Sequence, residues 1–381
     1  MAHLRRLRCA AAALAQPPSS TAARTAGTAA GAAPAAATAA PPPPPAAYVH
    51  SPRFGADEGE ALLEFYRREG YAIVKAALDP AEVAHALDLT WEYLESAGTG
   101  LARGEPSTWH EPAWLGRSPE MGSFDSTNDY YGCHSRQMWY IRSRPALLQA
   151  WATLCGCAES ELIVSYDGMS MFRPWTVEQS WRSVGPWYHT DLSPELYRKG
   201  AYLHIQGFVT LLDTSELTGG NVVVPKSHQV FEEMALAGCD SEALREVQLA
   251  EGNLAGGISC HLEAGDLFIW DARTTHGATP GLRSAARASD SALTDTDLFR
   301  AVAYVTYAPK SAATPEVLVQ RERLVWAHEG DGAYCAYLKP LQNEGTGRVA
   351  PTAEDVFRPV QQDISELTDV QWSLVGKDAL G

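Results

Sequence analysis

The chain has 381 residues, of which 45% are hydrophobic, and its formal net charge is −16 at pH 7. It is long enough for one large folded domain or two modest ones. The acidic balance argues against nucleic acid or an anionic membrane as the main partner, because both require a basic surface. No stretch approaches the ~20 apolar residues needed to cross a bilayer, so we expect no membrane span.

The N-terminal segment, residues 1–50, differs in composition from the rest of the chain. Residues 1–56 contain no Asp or Glu, and Ala, Pro, Thr and Ser dominate them. Such a segment buries too little surface to repay its ordering entropy, so we expect 1–50 to be disordered. Arginines without acids are typical of a mitochondrial or chloroplast transit peptide. An organelle is therefore the predicted location; the alternative is a low-complexity tail or a mispredicted start codon on a cytoplasmic protein.

Residues 51–160 are predicted to form a helix-rich scaffold. Residues 58–68 carry apolar side chains at helical spacing, and a short strand at 71–74 follows Gly70. Asp79-Pro80-Ala81-Glu82 supplies an N-cap, an N1 proline and a capping carboxylate, which predicts a second helix running towards Ser96. A third helix is expected from Pro145 to Cys155, stopped at Gly156.

The pattern becomes β after residue 161 and predicts the core of a single domain, 51–381. Candidate strands are 162–165, 187–192, 202–212, 221–224, 258–262, 266–270, 274–278 and 300–307. Strands this frequent indicate a sandwich or barrel. We expect a mainly β fold in which helices buttress a barrel core at 161–310, followed by a C-terminal extension at 311–381.

A candidate metal site involves His189, Asp191 and His276. Residues i and i+2 of a strand point to the same face, so His189 and Asp191 can bind one ion. His276 follows a strand signalled by Gly265 and Asp266 and can supply the third ligand. Two imidazoles and one carboxylate can hold one face of a metal and leave the opposite face open. Taken singly, each histidine is more simply explained as a hydrogen-bonded structural residue.

Arg300 at the start of the strand 300–307 is a candidate anion anchor. Its planar guanidinium can hold a carboxylate by two parallel hydrogen bonds. Arg283 and Arg287 are alternatives, but both lie in a predicted loop, which positions a ligand less firmly than a strand does. On the strand 202–212, Gln206 and Thr210 share one face, which is predicted to line the barrel cavity and to hydrogen-bond a bound ligand; the alternative is ordinary polarity facing solvent.

Several short motifs follow one another between residues 161 and 308. They are His189-Thr190-Asp191, Leu211-Leu212-Asp213, the run from Gly219-Gly220 to Val224-Pro225-Lys226-Ser227-His228, Gly265-Asp266-Leu267, His276 and Arg300. In this order they resemble the phytanoyl-CoA dioxygenase-like family of Fe(II)- and 2-oxoglutarate-dependent oxygenases. The resemblance implies a double-stranded β-helix, a jelly-roll, cupin-like barrel with iron near its open end.

The resemblance also implies a reaction and its cofactors. Fe(II) would be bound by His189, Asp191 and His276, with 2-oxoglutarate and O2 as co-substrates, and Arg300 would hold the distal carboxylate of 2-oxoglutarate. The expected reaction is hydroxylation of a small organic molecule, with formation of succinate and CO2. Asp191 argues against halogenation, because related halogenases lack this carboxylate.

Two departures from the family pattern concern the anchor and a turn. The interval between His276 and Arg300 is longer than expected for the family, which keeps Arg283 and Arg287 open. Lys226 stands where the family usually has Gly, a change that should not touch the iron. In the family, the Ser-His pair that corresponds to Ser227-His228 is structural, so His228 is excluded from the metal ligands.

The substrate itself is less defined by the sequence. The run from Phe172 to Trp187, rich in Trp and Arg, is a candidate lid, and the alternative is packing at the barrel end. An aromatic rim with arginines suits a small acidic molecule, whereas a coenzyme A thioester would require a basic patch that is lacking. Two other functions remain open: a zinc-dependent hydrolase and a non-catalytic barrel binding module. The oligomeric state is not predicted.

Overall fold

The computed structural model describes residues 47–111, 113–114, 123–125, 132–183, 188–200, 204–239, 257–285, 297–330 and 359–377. The transit-segment prediction falls on residues 1–46, outside these ranges, and stays a prediction. Within the described ranges, no helix combines the length and the apolar character that crossing a bilayer demands.

Helices are concentrated at the two ends of the described chain. The α-helices are α1 (Gly59–Glu69), α2 (Pro80–Ser96), α3 (Arg136–Arg142), α4 (Pro145–Cys155), α5 (Pro194–Arg198), α6 (Ser227–Leu236), α7 (Pro315–Ala327) and α8 (Asp369–Val375). Short 3-10 helices lie at Pro106–Thr108, Gly132–His134, Glu159–Glu161, Gln179–Trp181, Lys310–Ala312 and Ile364–Glu366.

The strands form two larger sheets and one two-stranded sheet. They are β1 (Ala47–Val49), β2 (Tyr71–Val74), β3 (Ser123–Asp125), β4 (Leu162–Val164), β5 (Met169–Phe172), β6 (Ile205–Thr210), β7 (Gly219–Val223), β8 (Ile258–Cys260), β9 (Leu267–Asp271), β10 (His276–Pro280), β11 (Arg300–Tyr304) and β12 (Tyr307–Pro309). Sheet A has the order β1-β8-β7-β10, sheet B the order β2-β9-β6-β11-β5-β3, and β12 pairs with β4.

The three helices predicted from sequence are present with their expected ends. Asp79 accepts a hydrogen bond from Glu82 N, and the Glu82 side chain accepts one from Asp79 N, which completes the capping box of α2. Both α1 and α4 end at a left-handed glycine, Gly70 and Gly156, a conformation that glycine adopts without the strain a Cβ would bring.

One hydrophobic core joins the two sheets and the scaffold helices. It includes Phe268 of sheet B, Val223 and Cys260 of sheet A, and Trp151 of α4. In β6, alternate residues face opposite ways: Gly207 lies against the Trp151 ring, while Phe208 packs with Phe268 and Trp270. The face of sheet B that carries Gln206, Phe208 and Trp270 therefore points towards sheet A, and we call it the inner face.

The C-terminal part of the chain is anchored by buried polar contacts. Arg321 in α7 is fully buried and donates hydrogen bonds to the carbonyl oxygens of Val164, Leu374 and Val375. His134 is also fully buried, and its carbonyl oxygen accepts a hydrogen bond from Gln362 N. These contacts tie α7, α8 and the segment before α8 to the scaffold.

Several predicted boundaries are corrected by the structure. Residues 47–49, expected to be disordered, form β1 and pair in parallel with β8. The strand expected at 300–307 is divided into β11 and β12, and in the described part of 187–192 only a single bridge at His189 is formed.

The elements that were not predicted include β5, whose Met-Ser-Met-Phe sequence lacks polar alternation because both of its faces are buried, and α6, which begins at the Ser227-His228 motif. The described strands form mixed sheets with helices and do not close into a barrel.

Candidate metal centre

Two backbone hydrogen bonds bring the predicted histidines together. His189 and His276 form an antiparallel bridge in which the N–H of each donates to the carbonyl oxygen of the other, both at 2.9 Å. His276 is also the first residue of β10 and pairs with Val223 of β7. Asp191 N donates to Ala272 O at 3.2 Å. All three predicted ligands are thus held by the backbone close to one end of sheet A.

The three side chains converge on one point. His276 Nε2 lies 3.0 Å from one carboxylate oxygen of Asp191, and His189 Nε2 lies 3.4 Å from the other. The three ligand atoms all lie within 4.8 Å of one another. In a typical site each ligand atom lies about 2.1 Å from the divalent transition metal, so two neighbouring ligand atoms lie about 3 Å from each other. The donor set and its spacing therefore fit a metal ion held on one face.

The orientation of His276 is set by its own turn. Its Nδ1 lies 2.9 Å from Thr274 O, and a carbonyl oxygen only accepts, so Nδ1 carries the proton and Nε2 is directed towards Asp191. The Thr274 hydroxyl in turn donates to Gly70 O, and Ser227 Oγ accepts from Thr275 N, each at 2.8 Å. The turn that carries His276 is therefore fixed by α1 and α6.

Asp191 and His276 shift each other's pKa because the two side chains are in contact. Burial opposes ionisation of Asp191, but the charge of His276 and hydrogen bonds from both histidines outweigh it and hold the pKa of Asp191 well below its usual value. Burial likewise opposes protonation of His276, but Asp191 raises its pKa above the ordinary value. A bound cation would take the place of this proton.

Arg300 lies in the same interior and has no acidic partner in the part of the chain that the structure describes. It begins β11, is 4% exposed, and its guanidinium carbon lies 5.0 Å from the Phe172 ring centre and 5.3 Å from that of Phe208. Its Nη1 donates to Ser170 Oγ at 3.3 Å, while its buried Nε has no hydrogen-bond partner among the described residues. A buried cation in this state is costly unless an anion joins it.

Aromatic rings connect the metal centre to Arg300. Trp270 lies 5.1 Å from His276 between ring centres, and 6.0 Å from Phe208, which contacts Arg300. Trp270 Nε1 is buried without a hydrogen-bond partner among the described residues. Sequence reasoning missed Trp270 as a site residue, although it precedes the predicted ligand turn and alternates with the core residue Ile269.

Gln206 and Thr210 also lie on the inner face, but their polar groups differ. Gln206 is 2% exposed, and its Oε1 is buried with no partner in the described part of the chain. The Thr210 hydroxyl is already used, because it donates to Leu212 O at 2.6 Å. Gln206 can therefore still bind a ligand, whereas Thr210 can offer only its lone pairs.

The other candidate residues lie elsewhere. Arg283 is bound at 2.6 Å to the side-chain oxygen of Gln179, and Arg287 lies outside the described residues. His228 is separate from the three-residue metal cluster; its Nε2 lies 3.2 Å from Arg67 O, consistent with a structural role.

The candidate lid is largely interior packing where the structure describes it. Phe172 belongs to β5. Trp175 donates to Leu217 O, and Arg173 is 3% exposed and ion-paired with Glu111. Trp181 packs against that arginine. The described part of the lid thus fits the packing alternative, while residues 184–187 lie outside the described ranges.

No family model matches the chain, but the chain is similar in sequence to known proteins. It is 25% identical to the "Ava biosynthesis cluster protein O" of Aspergillus versicolor over 272 residues, which are 66% of this chain and 79% of that protein. It is 21% identical to a "Putative phytanoyl-CoA dioxygenase" of Dictyostelium discoideum over 248 residues, which are 56% of this chain and 69% of that protein.

A solved structure reports on the fold. The hypothetical protein JW0805 from Escherichia coli has a TM-score of 0.53 to this chain at 14% identity and covers 86% of this chain and 85% of its own. Together with the Dictyostelium relative, the cluster of His189, Asp191 and His276 confirms the resemblance of this chain to the phytanoyl-CoA dioxygenase-like oxygenases.

Proposed function

We propose that the chain is an Fe(II)- and 2-oxoglutarate-dependent dioxygenase that hydroxylates a small organic molecule and forms succinate and CO2. Sheets A and B would be the two halves of a double-stranded β-helix. The name of the Aspergillus relative, which refers to a biosynthesis cluster, supports a small-molecule substrate. The name of the Dictyostelium relative supports the reaction class.

The observation that carries the proposal is the buried guanidinium of Arg300, which has no acidic partner among the described residues and lies on the inner face of sheet B, towards the three metal ligands at the end of sheet A. A metal site alone would equally suit a hydrolase. A second site for an anion, separated from His276 by Trp270 and Phe208, suits a co-substrate with one end on the metal and a carboxylate at the other. A zinc hydrolase leaves this buried charge without a role.

Each residue of the site would have its own role in binding. His189, Asp191 and His276 would hold Fe(II), which supplies the oxidising chemistry once oxygen and 2-oxoglutarate are bound. Arg300 would neutralise the far carboxylate of 2-oxoglutarate, and Gln206 would hydrogen-bond the same molecule from β6. Trp270, packed on His276, keeps bulk water from that side of the centre.

An anaerobic titration tests the proposal. Fe(II) and 2-oxoglutarate added together to the full-length chain should give a visible charge-transfer band, and Asp191→Ala should lack it. A wild-type protein that binds zinc and hydrolyses esters, but never shows this band with Fe(II), would instead be a hydrolase. A protein that binds neither metal would be a non-catalytic module. Succinate release measured across candidate small molecules would then identify the substrate.

A further inference from the structure

A small hydrophobic cluster, separate from the main core, lies against the metal centre. Its buried members come from α6, the loop after it and the two segments that carry the ligands, and they are Leu192, Phe231, Met234, Ala235, Cys239 and Ala272. Leu192 follows the ligand Asp191, and Ala272 lies in the turn between β9 and β10 that ends at His276. Both ligand segments therefore meet in this cluster, and its polar contacts can set their relative placement.

The carbonyl of Ala272 is a second point, besides the bridge between the two histidines, at which the ligand segments are joined. It accepts hydrogen bonds from Asp191 N at 3.2 Å and from Leu192 N at 3.1 Å. A movement of the Ala272 peptide would therefore move Asp191 relative to His276, whose Nε2 lies 3.0 Å from the Asp191 carboxylate.

Arg273 fixes this peptide through an ion pair with Asp271 that spans Ala272. Its Nε donates to Oδ1 of Asp271 and its Nη2 to Oδ2, both at 2.8 Å, and its backbone N–H donates to Oδ1 at 2.9 Å. The two side chains are 14% and 8% exposed. Two parallel hydrogen bonds from a planar guanidinium fix orientation as well as distance. The ion pair therefore holds residues 271–273 in one conformation.

The guanidinium of Arg273 also reaches the helices that pack on the cluster. Its Nη1 lies 3.5 Å from Glu232 Oε2 in α6, and Tyr197 of α5 interacts with both Glu232 and Arg273. Helix α5 begins shortly after Asp191, and the Tyr197 ring packs edge-on against Phe231 of α6, with 5.7 Å between ring centres. Among the described residues, Arg273 pairs with none of the three ligand side chains, so its effect on a metal must pass through the backbone.

We propose that Arg273 is a positioning residue for the metal centre. By holding the Ala272 carbonyl in place, it fixes Asp191 relative to His276 and sets the geometry of the ligands before an ion binds. A lysine is a point charge without the planar fork, so it could keep the ion pair but not the orientation. The inference rests on the proposed function, because it assumes that the three ligands bind a divalent metal.

Titration of the full-length chain with Co(II) tests the inference without turnover, because the visible ligand-field absorption of Co(II) responds to the arrangement of its ligands. Arg273→Lys should weaken Co(II) binding about 10-fold, as is usual for the loss of a residue that orients metal ligands. It should also shift or weaken the absorption band at full occupancy. Asp271→Asn removes the other half of the pair and should change the band in the same way. The double variant should lose no more affinity than the more damaging single variant, since both changes break one interaction.

Arg53 provides a matched control. Its side chain is 26% exposed and pairs with the buried Asp266, just before β9, and with Glu263. Arg53→Lys therefore weakens a similar guanidinium pair at the end of β9 that lies away from His276. It should lower the thermal midpoint, but leave the absorption band unchanged and the Co(II) affinity within about twofold of wild type, because distant sites act independently.

Each other outcome has a definite meaning. If folded Arg273→Lys binds Co(II) with wild-type affinity and an unchanged band, or if Arg53→Lys alters the band equally, the assignment of Arg273 is overturned while the dioxygenase proposal stands. If Arg273→Lys does not fold, Asp271→Asn decides by the same criteria. If the wild-type chain binds no Co(II), both proposals fail.

Discussion

His189 and His276 are joined by a pair of reciprocal backbone hydrogen bonds, each 2.9 Å long. Two of the three proposed metal ligands are thereby fixed by one bridge, and the third, Asp191, donates its backbone N–H to Ala272 O. The site is held by backbone geometry before any ion arrives, so metal binding should require little rearrangement.

Removal of the carboxylate ligand should abolish tight metal binding. Asp191→Ala leaves the His189–His276 ladder intact but removes the only charged ligand, so affinity for Co(II) or Fe(II) should fall by more than about 100-fold. Equilibrium dialysis with metal analysis measures this. The control is His85→Gln, at an exposed helix position, which should bind metal normally; a fully metal-loaded Asp191→Ala protein would exclude this centre.

Removing the charge of Arg300 should weaken co-substrate binding without lowering the stability of the ligand-free protein. Arg300→Met keeps an unbranched chain and removes a buried charge that no acid pairs with within the described ranges, so the thermal midpoint of the ligand-free protein should stay the same or rise. The increase in midpoint that 2-oxoglutarate produces in the metal-loaded wild-type chain should disappear, because ligand stabilisation follows affinity. Arg283→Met serves as the comparison: if it, and not Arg300→Met, removes the stabilisation, the anchor lies in the loop after β10.

Gly70 should tolerate no side chain. It has φ +81°, and an added Cβ would meet His228 Nδ1 and lie 2.6 Å from Thr274 Oγ1, the hydroxyl that fixes the turn of His276. Gly70→Ala should cost about 3 kcal/mol or more of unfolding free energy in urea, from backbone strain plus overpacking. Gly156 has φ +64° with nothing within 4 Å, so Gly156→Ala should cost only about 1–2 kcal/mol. Equal losses in the two variants would contradict this account.

Acid should destabilise the protein partly through His134. Burial, and then the nearby Arg142 charge, lower the pKa of His134 well below its ordinary value of 6.5. Below pH 6.5, His134 binds a proton in the unfolded chain but not in the folded chain. The contribution of this group to the free energy of unfolding is therefore complete above pH 6.5 and falls as the pH drops below it, by up to about 1.4 kcal/mol per pH unit.

Urea unfolding at pH 7.5 and pH 5.0 measures this loss. His134→Gln should be less stable than wild type at pH 7.5, but should lose less stability between the two pH values. Other histidines with a lowered pKa, including half-buried His204 with a pKa lowered to about 4 mainly by desolvation, remain in both proteins. An unchanged loss in the variant would show that His134 does not titrate as proposed.

Local signals predicted part of this molecule well. The capping box at Asp79 and the glycine stop at Gly156 follow from neighbouring residues, and the two-residue spacing predicted that His189 and Asp191 lie together; their role as metal ligands, with His276, stays a prediction. The sequence could not reveal Ser170, because its relation to Arg300 depends on the pairing of β5 with β11. The strand β5 itself was hidden, since burial on both faces removes the alternation that marks a strand.

The parallel pairing of Ala47–Val49 with Ile258–Cys260 sets a limit on any shortened form of the protein. Cleavage before residue 47 would leave sheet A complete. Cleavage after residue 50 would remove an entire strand and uncover the backbone edge of β8, a template for pairing with another chain. A protease or an organelle import machinery that trims this N-terminus must therefore stop short of Ala47 if the product is to remain free of aggregation.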